Sequence, residues 1–61
     1  MSAYRTFKRS ATGWESFARA RKYHDAYWAS AAEARARCER FNANRTRAQE
    51  RRGTKMEFES V

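Results

Sequence analysis

The 61-residue sequence has no leucine and no isoleucine, and its only valine is the last residue. Leucine, isoleucine, valine and phenylalanine together contribute 5 residues, so a conventional aliphatic core is excluded. In a highly charged chain so few of these residues normally signal disorder. Cysteine and histidine occur once each, as Cys38 and His24. One cysteine rules out an internal disulfide. The pair is too few for a zinc site of four nitrogen and sulfur ligands, or for a nucleophile, base and orienting group within one copy. No run approaches the ~20 apolar residues of a membrane span, and the start, MSAYRTFKRS, lacks the apolar stretch of a signal peptide. These absences predict a small cytoplasmic protein with no cofactor, no metal and no enzymatic activity.

What is present argues against disorder. Nine aromatic rings (Tyr4, Phe7, Trp14, Phe17, Tyr23, Tyr27, Trp28, Phe41 and Phe58) are spread along the chain among twelve alanines. A large ring buries roughly 150–250 Å², and alanine supplies small facing surfaces with high helix propensity. The expectation is one mini-domain over residues 1–61 with an aromatic–alanine core. At this length the chain buries only about 60% of its unfolded surface, near the lower limit for independent folding.

Three segments match the capping box S/T-x-x-E/Q, in which a hydroxyl and a carboxylate or amide reciprocally satisfy the first helical N–H groups. They begin at Thr12, Ser30 and Thr46. The first opens GWESFARARK, with Trp14, Phe17 and Ala18 on one face. The second opens AAEARARCERFN, with Ala31, Ala34, Cys38 and Phe41 as the apolar stripe and Arg35, Arg37 and Arg40 on the flanks. Glu33 and Arg37 stand at i, i+4 in the favourable order, and Asn42 or Asn44 is suited to end the helix. The third is a short helix from Arg47 to Arg52, closed by Gly53.

The remaining segments read as strands. TKMEFES alternates, with Met56 and Phe58 on one face, and AYRTFKRS is rich in aromatic and threonine residues with no helix cap before Thr12. KYHDAYWA, residues 22–29, fits a strand by its ring content but also a continued helix. As a strand it places Tyr23, Asp25 and Tyr27 on one face. The predicted class is α+β: short helices packed on a small two- or three-stranded antiparallel sheet.

Net charge is +7, from eleven arginines and three lysines against seven acids. A GC-rich coding sequence would explain the arginine-to-lysine ratio but not the net charge. The excess favours polyanions or acidic protein surfaces, and guanidinium forks pair bidentately with phosphate. The candidate contacts are Arg45, Arg47, Arg51, Arg52 and Lys55, assisted by Arg5, Lys8, Arg9, Arg19 and Arg21, with Tyr27 and Trp28 as rings for stacking or anchoring. No RNA-binding aromatic motif, GxxG clamp or zinc-finger spacing is present. Two partners remain open: nucleic acid, free or in a ribonucleoprotein, and a large nucleic-acid-handling protein complex. In size and composition the chain resembles the compact inhibitors and adaptors that short phage genes encode, which act on nucleic-acid-processing or defence complexes such as a CRISPR effector. Neither membrane nor small-molecule substrate is expected, and the oligomeric state is open. Cys38, on the apolar stripe, reads as a small buried hydrophobe.

Overall fold

The computed structural model describes residues 3–10 and 22–61. The helix expected from the Thr12 box, with Trp14, Phe17, Arg19 and Arg21, lies outside them. The described chain is a small α+β domain. Its strands are β1 (Tyr4–Arg9), β2 (Tyr23–Trp28) and β3 (Lys55–Ser60); its helices are α1 (Ala31–Ala43) and α2 (Arg47–Arg51). The strands form one antiparallel sheet in the order β2-β1-β3. β1 is flanked on both sides, and its middle residues Thr6 and Phe7 are buried.

The segment 22–29 holds the strand β2 (Tyr23–Trp28), not a continued helix, and its irregularity matters. Thr6 lies opposite Ala26 but Phe7 lies opposite His24, so Asp25 is an extra residue without a cross-strand partner. A bulge of this kind breaks the strict two-residue alternation of side chains. His24 and Tyr27 therefore share a face, their ring centroids 4.6 Å apart. Asp25 points to the opposite face, where its carboxylate accepts a bond from the Thr6 hydroxyl at 2.8 Å. The expected grouping of Tyr23, Asp25 and Tyr27 on one face fails for this reason.

α1 begins where the sequence places it. The Ser30 hydroxyl accepts from the Glu33 N–H at 3.3 Å, and the helix ends at Asn44, the C-cap. Ala34 and Cys38 are buried against the sheet, where they meet Met56 and the Thr6 side of β1. Phe41 and Phe58 are only half-buried, and Phe58 meets Tyr4 edge-on at 6.3 Å between centroids. Among the described residues the buried core consists of Phe7, Ala34, Cys38 and Met56, with Thr6 and Thr54 as buried polar members.

The second and third capping boxes differ in completeness. At α2 both halves form: Gln49 N–H donates to the Thr46 hydroxyl at 3.2 Å, and Thr46 N–H donates to Gln49 Oε1 at 2.8 Å. The far end of α2 closes in a Schellman arrangement, with Gly53 N–H bonded to Glu50 C=O and Thr54 N–H to Gln49 C=O. Gly53 takes φ 66°, the left-handed conformation that costs a residue with a Cβ. This double closure lets a five-residue helix turn directly into β3.

Asn42 joins helix to sheet. Its amide donates to Met56 C=O at 3.1 Å and its Oδ1 accepts from Met56 N–H at 2.9 Å, as a neighbouring strand would. Side-chain cover of this kind blunts an edge that would otherwise invite pairing. Replacing Asn42 with alanine leaves two main-chain groups of a buried residue unsatisfied, at an expected cost of about 1–2 kcal/mol. Asn42→Asp keeps the acceptor but sets a carboxylate against the Met56 carbonyl. Chemical denaturation should rank both variants below wild type; an unchanged midpoint for Asn42→Ala would mean water replaces the amide without loss.

Candidate nucleic-acid interface

The basic side chains fall into two populations once their partners are known. On the sheet face away from α1, Arg5 pairs with Glu59 at 3.0 Å, Lys22 with the other oxygen of Glu59 at 2.8 Å, and Arg9 with Glu57 at 3.7 Å. All three cations also stand 5.0–5.6 Å from the centroid of the Phe7 ring, within cation–π range. Lys22, with Arg5 beside it, holds the Glu59 carboxyl below its ordinary range. Arg5 further donates through Nε to His24 Nδ1 at 3.1 Å. Arg5 and Arg9, named from sequence as assisting contacts, therefore already have partners within the chain.

Arg37 is the most deeply committed. It grips Asp25 with two parallel bonds of 2.9 Å, from Nε and from a terminal nitrogen. The carboxylate also accepts from Thr6, whose hydroxyl oxygen in turn accepts from the Trp28 indole N–H at 2.9 Å. The Arg37 guanidinium holds the Asp25 carboxyl below its ordinary range, against the opposing effect of burial. The i, i+4 pairing with Glu33 does not form, because the bulge presents Asp25 as a bidentate partner beneath the helix. Trp28, expected as a stacking ring, is a half-buried member of this network. Tyr27 is exposed, at 65%.

The five C-terminal cations do not form one surface. Arg45 turns inward and brackets two chain ends, donating to Asn42 C=O at 3.2 Å and Thr54 C=O at 3.1 Å. Arg47 and Arg51, at i, i+4, share the exposed side of α2. Arg52 caps that helix and lies on its other side, where it lines a cleft. Lys55 opens β3 opposite Arg9. Among the described residues, Lys8, Arg35, Arg40, Arg47, Arg51 and Lys55 have no acid within 4.0 Å. Sequence reasoning did not single out Arg35 and Arg40 as contacts; their place on the flank of the apolar stripe was the available signal.

Two open clefts flank these groups. The larger, about 520 Å³, has Phe7, Met56 and Phe58 in its lining together with Glu57 and Glu59, carboxylates already matched by Arg9, Arg5 and Lys22. The smaller, about 350 Å³, is lined by Lys8, Ser10, Tyr23, Gln49, Arg52 and Thr54, with no acid among these six. Cys38 is buried, and burial followed by the field of Asp25 pushes its thiol upward, away from the thiolate a reactive cysteine needs. Among the described residues no helix is long and apolar enough to cross a membrane. No protein family, no curated protein and no solved structure matches this chain.

Proposed function

We propose that this chain is a non-enzymatic binding protein that holds the phosphate backbone of nucleic acid, free or within a ribonucleoprotein. The observation that carries the reading is the sorting of its charge. Among the described residues, the acids that form ion pairs are spent on Arg5, Arg9, Lys22 and Arg37. Among the described residues, Lys8, Arg35, Arg40, Arg47, Arg51 and Lys55 stay without an acid within 4.0 Å, which is the electrostatic footprint of a phosphate contact.

Fluorescence anisotropy with a labelled single-stranded RNA tests it. Arg47→Gln/Arg51→Gln removes two exposed guanidinium groups that support no packing. Binding should weaken about tenfold, by a similar factor for every sequence, as expected for contacts that position without reading bases. A wild-type chain that leaves the strand unbound at low salt removes the reading. A protein partner is then the better account. Tyr27 favours that second possibility: an exposed tyrosine beside His24 and Arg5 has the composition of a binding hot spot.

A further inference from the structure

β3 is an outer strand of the sheet, and only part of its free edge is covered. Asn42 bonds both outward main-chain groups of Met56. Met56 faces Lys8 on β1, and antiparallel alternation gives Phe58 and Ser60, opposite Thr6 and Tyr4, the same outward orientation. The alternate residues bond β1, a pattern that Val61 N–H continues by donating to Ala3 C=O at 2.9 Å. Phe58 and Ser60 therefore direct two N–H and two C=O groups away from β1. Among the described residues nothing bonds these four groups. The larger cleft borders the same strand: Met56, Glu57, Phe58 and Glu59 line it in succession, with Cys38 from α1. An open row of this kind is a template for an added strand. β2, the other outer strand, carries the Asp25 bulge, which twists an edge away from such pairing.

The flanks of this edge select what it takes. α1 runs antiparallel to β3: its start follows Trp28, which pairs with Tyr4 beside Ser60, and its end places Asn42 at Met56. Arg35 precedes Asn42 by two helical turns, so it shares the Asn42 face about 10 Å nearer the Ser60 end. Arg35 is exposed, and its i+4 neighbour Glu39 does not pair with it. The β3 acids Glu57 and Glu59 are already matched by Arg9, Arg5 and Lys22, so they do not cancel that charge. A second copy of the chain fits poorly. Pairing β3 with itself through Phe58 and Ser60 sets Glu59 directly opposite Glu59 of the other copy, and each copy carries a net +7. We infer that the Phe58–Ser60 edge docks an extended, acidic segment of a partner protein. The segment adds a fourth strand antiparallel to β3, with an apolar side chain beside Phe58 and a carboxylate reaching Arg35. This surface goes beyond the phosphate contacts and lets the chain hold nucleic acid and a protein at once.

The test is amide hydrogen exchange and ¹⁵N–¹H NMR titration of the whole chain. The probe is the peptide acetyl-Val-Thr-Glu-Thr-Val-Thr-amide, and its control carries lysine in place of glutamate. In the free chain the Phe58 and Ser60 amides should exchange faster than those of Glu57 and Glu59, which bond β1. The glutamate peptide should shift and protect Phe58 and Ser60, and the lysine peptide should bind about tenfold more weakly. Arg35→Gln should remove that preference. Ser60→Pro deletes an outward N–H without breaking a bond to β1, a placement that edge strands tolerate. It should abolish peptide binding and leave single-stranded RNA binding unchanged. Slow exchange at Phe58 and Ser60 in the free chain means the edge is already covered and overturns the inference, as does a peptide that shifts neither amide at millimolar concentration. Equal affinity for both peptides overturns the acidic partner. Protection that grows with protein concentration alone assigns the edge to a second copy and overturns the partner protein. Peptide bound through this edge by a chain that leaves RNA unbound supports the docking site and overturns the phosphate reading.

Discussion

Asp25→Asn is expected to lower the thermal midpoint by roughly 10–20 °C. The substitution is nearly isosteric but removes the charge that Arg37 grips from two directions. Asp25 is 15% exposed at its side chain and Arg37 32%, so the pair lies between the fully buried and surface limits. Losing one partner of a buried pair costs about 3–5 kcal/mol, whereas exposed pairs contribute about 0–1 kcal/mol. A value of about 2–3 kcal/mol follows for this intermediate site, and it acts on a domain whose whole stability is roughly 3–9 kcal/mol. At about 4–8 °C per kcal/mol for a chain of this size, the shift is readily seen by circular dichroism. Adding Arg37→Gln to the variant should recover part of the loss, because the stranded charge goes with it. A midpoint within about 3 °C of wild type would place the pair at the surface limit.

The same carboxylate sets the acid limit. Arg37 holds the Asp25 pKa below its ordinary value, so the unfolded chain takes up a proton at higher pH than the folded chain. The contribution is therefore complete above about pH 4 and is lost as pH falls through the lower, folded value. Glu59, also depressed by its cations, acts in the same direction. Wild type should lose stability steeply below about pH 4, and Asp25→Asn should show a shallower slope over that interval.

Raising salt from about 50 to about 200 mM should weaken binding to single-stranded RNA roughly 100-fold. The estimate takes about five neutralised phosphates, close to the number of uncompensated cations, at a slope near 0.7 per phosphate for single strands. Arg47→Gln/Arg51→Gln should flatten that slope by about 1.4, which ties the salt effect to named side chains rather than to net charge. The cations of the far sheet face should contribute little, because Glu57 and Glu59 already compensate Arg5, Arg9 and Lys22. An affinity that changes less than about threefold over this range is incompatible with a phosphate-led contact. A protein interface anchored by Tyr27 would instead respond to salt chiefly through its association rate.

What the sequence determined by itself was local. The Ser30 and Thr46 caps, the left-handed Gly53, the apolar stripe Ala34–Cys38 and the three extended segments each depend on residues within four or five positions, and the backbone follows them. The α+β class came from adding those elements together. The tertiary structure alone decided which charges are spent. Arg37 faces Asp25, not Glu33, because one extra residue in β2 redirects a carboxylate beneath α1. Arg45 is consumed by two carbonyls at a chain crossing, and Arg52 lines the same cleft as Lys8, 44 positions away. Such pairings depend on the sheet order β2-β1-β3 and on one bulge, neither of which leaves a periodic trace. Charge is written along the chain residue by residue, but its compensation is a matter of distance, and distance exists only after folding.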